Sequence, residues 1–169
     1  QFPLLIRQQD PVYRARASAA WQAGVDGLYI FNEYDTRSRY LREIGSADKL
    51  RNKNNLYFLT YLNANPNSYL KNGNDHWNLP KLTPSNPVTL GSKPLKFLLE
   101  AGDESLPART ALLLYSRGDN PEPVEAYLNG VALNYLKSTA DGLSVFEVPQ
   151  GTVKSGKNEL DLKLVSGQE

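Results

Sequence analysis

Apolar positions follow two rhythms along this chain, and they meet near residue 87. Beyond it, short apolar runs recur between turn signals: VTLG 88–91, LKFLLE 95–100, TALLLYS 110–116, VEAYLNG 124–130, VALNYL 131–136, LSVFEVP 143–149 and NELDLKLV 158–165. In the last run Leu160, Leu162 and Leu164 alternate with Asp161 and Lys163, the period of a strand with one buried face. Asn129-Gly130 separates two runs, and both central residues of a two-residue hairpin turn need a positive φ, which Asn and Gly tolerate best. TALLLYS lacks alternation and predicts a central strand buried on both faces. About seven short strands at this spacing predict a β-sandwich.

The first part of the chain has a helical rhythm. Asp10-Pro11 predicts a helix start, with Asp as N-cap and Pro at the first helical position. VYRARASAAWQA, 12–23, continues the helix, and Gly24 stops it. Val12, Ala15, Ala19, Ala20 and Ala23 predict a face of small residues for close packing. GLYIFN, 27–32, is apolar without alternation, as expected of a strand covered on both faces. Asp35 or Thr36 then caps a second helix, RSRYLREI, ended by Gly45, and Ser46 opens a short turn, ADKLRNK. Helix, strand, helix with short loops is the grammar of an α/β repeat. LYFLTYL, 56–62, reads as a further strand or an apolar arm. Residues 63–87 are rich in Asn, Pro, Ser and Gly and read as a linker. The expected organisation is therefore 1–62, 63–87 and 88–169.

Composition narrows the function classes. The 169 residues are 40% hydrophobic and 22% charged, enough apolar content for a packed core. A net charge of +1 argues against a broad nucleic-acid surface. No apolar run approaches the roughly 20 residues of a membrane span, so neither nucleic acid nor membrane is an expected partner. With no Cys there is no disulfide or thiolate chemistry. With no Met even at residue 1, the chain is expected to begin inside a longer or processed polypeptide.

Chemical motifs are sparse. His76 has no second His or Cys to complete a metal site, and no cofactor signature such as a Gly-rich phosphate loop or a GxSxG elbow occurs. No metal and no cofactor are therefore expected. Arg117-Gly118-Asp119 lies within SRGDNP, where Gly-Asp-Asn-Pro is ordinary turn chemistry. Trp77, in the linker, either stacks on a sugar face or anchors its loop, the commoner role. Tyr115, Tyr127 and Tyr135 lie on strands, where Tyr packs more often than it binds sugar.

VEAYLNGVAL followed by FEVPQGTVKSGKNELDLKL resembles the closing half of galactose-binding-like jelly-roll sandwiches, the match resting on Asn129, Gly130, Gly156, Asn158, Leu160 and Leu162. RARASAAWQAGVDGLYIFNEYD with LREIGSADKL behind it resembles the end of the (β/α)8 barrel of bacterial glycoside-hydrolase-like proteins, in which such a sandwich is appended after the eighth strand. The resemblance covers essentially the whole chain. It implies a mainly β fold: a jelly-roll, galactose-binding-like sandwich preceded by a helix-strand-helix piece of a TIM-type barrel. It also implies an accessory region of a secreted, periplasmic or cell-surface bacterial protein, partnered by a preceding barrel and by a polysaccharide or oligosaccharide. Glycoside hydrolysis uses two carboxylates, and barrel enzymes place them at the C-terminal ends of strands. Glu33 is accordingly the catalytic candidate of this chain, and Asn32, Glu33, Trp77 and Tyr127 are the carbohydrate-contact candidates. The blander reading is that Asn32, Glu33 and Asp35 cap the next helix. Alone, the chain is expected not to be catalytic; the alternatives are a carbohydrate-binding module with an exposed aromatic platform and a structural or protein-interaction β-sandwich with no glycan ligand. The uncovered edges of strand 27–32 are expected to be closed by the sandwich, by self-association, or by residues 2–6 and 56–62 pairing beside it.

Overall fold

A computed structural model describes residues 9–30, 33–57, 89–91, 93–103, 109–116, 123–139 and 142–165. Gln1–Tyr57 and Leu90–Glu169 make one compact unit and Phe58–Thr89 a second. All elements below belong to the first.

Helix α1, Asp10–Gln22, starts one residue earlier than the sequence suggests. Gln9 is the N-cap, Pro11 lies in the first turn, and Asp10 sits inside the helix, 3.6 Å from Arg14 one turn on. A carboxylate there suits the positive end of the helix dipole. Gly24, at φ +83, takes the left-handed position after the C-cap. The buried face is wider than the expected small-residue stripe: Val12, Arg14, Ala15, Ala17 and Ser18 are buried, Ala19 and Ala20 half-buried, and Ala23 exposed. Helices α2, Arg39–Glu43, and α3, Ala47–Leu50, follow. Ser38 holds the N-cap position of α2. Asp35 instead accepts the Arg37 N–H at 3.0 Å, a local turn that precedes the helix. Ala17, Tyr40, Ile44 and Leu50 form the core of this part, with Tyr13, Trp21, Leu28, Ile30 and Leu41 packed on it. The Trp21 indole donates to the Ile44 carbonyl at 2.9 Å and ties α1 to the end of α2.

The expected strand at 27–32 does not form over its described part, 27–30. Leu28 and Ile30 lie against the helical core, whereas Tyr29 between them is 86% exposed. The segment therefore alternates and is covered on one face, not two. A strand needs a partner's backbone groups, and no described residue pairs with this segment. Residues 56–57 and 89–91 are likewise outside any strand. Residues 2–6, 31–32, 58–62 and 88, invoked in the same expectations, lie outside the described residues.

The remainder is mainly β: two antiparallel sheets with seven strands among the described residues. The first has the order β1-β7-β3-β4 and the second β2-β6-β5, with β1 Leu95–Ala101, β2 Thr110–Tyr115, β3 Val124–Leu128, β4 Val131–Ala132, β5 Asn134–Ser138, β6 Leu143–Val148 and β7 Gly156–Leu164. On one face of the first sheet Phe97, Ala101, Ala126, Leu128, Asn158, Leu160 and Leu162 are buried. On the other, Lys96 meets Glu159 at 2.6 Å and Asp161 at 3.5 Å, and Lys163 meets Glu125 at 2.8 Å. The strand alternation is thus a true separation of faces. In the second sheet Phe146 and Val148 are buried.

Two expectations about strands are corrected. TALLLYS is β2, an edge strand among the described residues, and its residues alternate half-buried and exposed, which leaves Leu113 and Tyr115 on an outward face. VALNYL is two strands: β4 belongs to the first sheet and β5 to the second, and the chain crosses at buried Leu133, whose N–H donates to the Ala126 carbonyl at 2.9 Å. The Asn129-Gly130 turn is as expected, with φ +52 and +81 and Leu128 paired to Val131.

The helices dock on the first sheet at one glycine. A Cβ on Gly102 would lie 1.7 Å from the Ser18 Oγ and 2.7 Å from the Ser18 carbonyl carbon. Only hydrogen fits between α1 and the end of β1. The Gly102 N–H donates to the Tyr57 hydroxyl at 2.9 Å and closes the same seam.

Candidate functional site

Glu33 follows directly on the extended segment and is held from two sides. One carboxylate oxygen accepts the Asp35 N–H at 2.9 Å, and the other accepts the Tyr40 hydroxyl. Tyr40 is itself buried on α2 and stacked against Tyr13 of α1, centroids 4.0 Å apart and planes 8° apart. Burial, reinforced by the Glu33 carboxylate, pushes the Tyr40 phenol well above its ordinary range. Tyr40 therefore acts as a neutral hydrogen-bond donor to Glu33. An open depression of about 350 Å³ lies beside this pair, lined by Tyr13, Arg16, Ala17, Leu28, Tyr29, Ile30, Glu33 and Ile44. Ala17, Leu28, Ile30 and Ile44 supply its apolar lining, and Arg16 and Glu33 its charges.

This geometry orients Glu33 as an acceptor. It brings no second carboxylate into the depression, so the general-acid and general-base pair of glycoside hydrolysis is not assembled there by the described residues. Asp35, two residues on, is exposed and pairs with Arg37 at 3.6 Å. Behind the depression Glu43 is buried among three cations: Arg14 at 2.6 Å, Lys53 at 3.4 Å and Arg39 at 3.5 Å. The Arg14 hydrogen bond outweighs burial and holds the Glu43 carboxyl below its ordinary value. That cluster is structural, joining α1, α2 and the segment after α3.

Tyr127 sits on the charged face of the first sheet. Its hydroxyl donates to Glu125 at 2.8 Å, and the Lys163 ammonium lies 5.5 Å from its ring centroid. The Lys163 ammonium thus lies over one face of the half-buried ring. Asn32, His76, Trp77 and Arg117-Gly118-Asp119 lie outside the described residues. The large exposed aromatics among the described residues are Tyr29, Tyr34, Tyr115 and Tyr135. Sequence reasoning singled out Glu33 but missed Tyr40 and Tyr13. The only sequence hint is the spacing from Glu33 to Tyr40, which straddles a turn and one residue of helix and carries no recognisable period.

Among the described residues no group of His, Cys, Asp and Glu is placed to hold a metal ion. No helix among them is long and apolar enough to cross a membrane. No protein-family model and no curated protein matches the sequence.

Proposed function

We propose that this chain is the accessory C-terminal region of a glycoside-hydrolase-like protein, with its two sheets stacked as a jelly-roll sandwich that contacts carbohydrate and supports a neighbouring barrel. The observation that carries the reading is the seam at Gly102, where α1 and Tyr57 grip the end of β1. A helical piece and a β domain joined that closely suit an appendage that moves with its neighbour. The one-sided burial of residues 27–30 fits a segment whose second face is meant for other strands. Glu33, held by Tyr40 and the Asp35 N–H, has a positioning role and does not hydrolyse a glycoside by itself. Secretion or a periplasmic or surface location belongs to the same reading.

The test is migration of the chain through native gels containing xylan, mannan or mixed β-glucan, with reducing ends assayed in parallel. Retardation in at least one gel without release of reducing ends is expected. Release that disappears in Glu33→Gln would overturn the non-catalytic assignment. Unretarded migration in every gel would leave a structural domain with no glycan ligand.

A further inference from the structure

Tyr135 is an exposed aromatic whose ring and hydroxyl are both held in place. It lies on β5, at one edge of the second sheet among the described residues, opposite Phe146 of β6. The two rings meet at 72° with centroids 5.6 Å apart, which fixes the orientation of Tyr135 while 56% of the residue stays open to solvent. Its hydroxyl lies 2.9 Å from the Ser138 Oγ, and that oxygen lies 2.9 Å from the Ser144 Oγ of β6. Residues three apart on a regular strand face opposite ways. Here the register shifts between Tyr135 and Lys137, so that Tyr135 pairs with Phe146 and Ser138 with Ser144, two positions on one face of β6. The irregularity at Leu136 thereby turns Ser138 to the side of Tyr135.

The chemistry of this trio selects its ligand. Three hydroxyls share two hydrogen bonds, so one hydroxyl proton and several lone pairs remain for an outside group. Such a patch can donate and accept, as a sugar hydroxyl does. Among the described residues its charged strand neighbours, Lys137 and Glu147, occupy the opposite face of their strands. The fixed ring beside it offers a flat apolar surface. We propose that Tyr135, Ser138 and Ser144 form a contact site for a neutral pyranose unit of a glycan chain, with the ring under the sugar's C–H face and the serines at its hydroxyls. This rests on the carbohydrate-contact reading above and places the contact on β5, since the Lys163 ammonium lies over the Tyr127 ring.

The test is calorimetric titration of the whole chain with cellohexaose, xylohexaose, mannohexaose and laminarihexaose. At least one is expected to bind at millimolar concentration. Tyr135→Ala should weaken that binding by about tenfold or more. Tyr135→Phe, which keeps the ring and its packing, should weaken it by about threefold through loss of the hydroxyl chain. Tyr127→Ala should bind like the parent. Should Tyr135→Ala fail to fold, Tyr135→Phe together with Ser144→Ala carries the test. Binding unchanged in the Tyr135 variants would overturn this site and leave the carbohydrate reading standing. No binding of any of the four glycans by the parent chain would overturn both.

Discussion

Asn158 shows how far a single side chain organises this fold. It is 2% exposed and satisfies four polar groups: its carboxamide oxygen accepts from the Lys154 N–H and the Asn129 amide, and its nitrogen donates to the Lys154 and Gly156 carbonyls. Asn129 extends the node to the Thr152 carbonyl and the Glu159 N–H. Replacing Asn158 by Ala would leave several of these groups buried and unpaired. Urea unfolding of Asn158→Ala should show a loss of about 2–4 kcal/mol. Gly102 carries a steric constraint instead. Gly102→Ala should cost about 1–3 kcal/mol, because a methyl must displace Ser18 of α1. Adding Ser18→Gly should recover only part of that loss, since the Ser18 backbone is also within 2.7 Å of the new carbon. Asn158 stood out in the sequence as one of the residues that carry the resemblance to galactose-binding-like sandwiches. Gly102 did not, because nothing local to it announces the helix that lies on it.

At the scale of elements, the best-read features were those with local causes. The hairpin joining β3 and β4 follows from Asn129-Gly130, whose φ values are both positive. Gly130→Val forces a β-branched residue into that region and should destabilise the fold by about 1–2 kcal/mol, measured by urea unfolding. An asparagine at the same position should be tolerated better, which separates the φ requirement from simple loss of glycine. Strands β1, β3, β6 and β7 match their apolar runs for the same reason: alternation is written in adjacent residues. Misreadings arose where partners decide the outcome. β2 reads as a buried central strand yet is an edge, and 27–30 reads as a strand yet has none to pair with among the described residues.

For the whole molecule, the helical part is tied together by charge as well as by apolar packing. Glu43 is buried and meets Arg14, Arg39 and Lys53. Its carboxyl is held below the ordinary value of 4.5, first by the Arg14 hydrogen bond. The stability this contributes is present above that value and is lost as pH falls through the depressed one. Urea unfolding measured from neutral pH downward should therefore weaken below about pH 4.5 in the parent. Glu43→Gln should be less stable at neutral pH and should lack that part of the acid dependence; identical acid profiles would show that the cluster does not matter. What the sequence determined by itself was the inventory: where most strands lie, where the chain turns and where α1 stops. These depend on φ preferences and on the spacing of near neighbours, which a linear pattern records. Tertiary structure alone decided which strands share a sheet, that β4 and β5 part at Leu133, that Tyr40 holds Glu33, and that Tyr127 lies under the Lys163 ammonium while Tyr135 is open. Each of those depends on groups far apart in the chain, whose meeting is set by the packing of whole elements rather than by any residue's own preference.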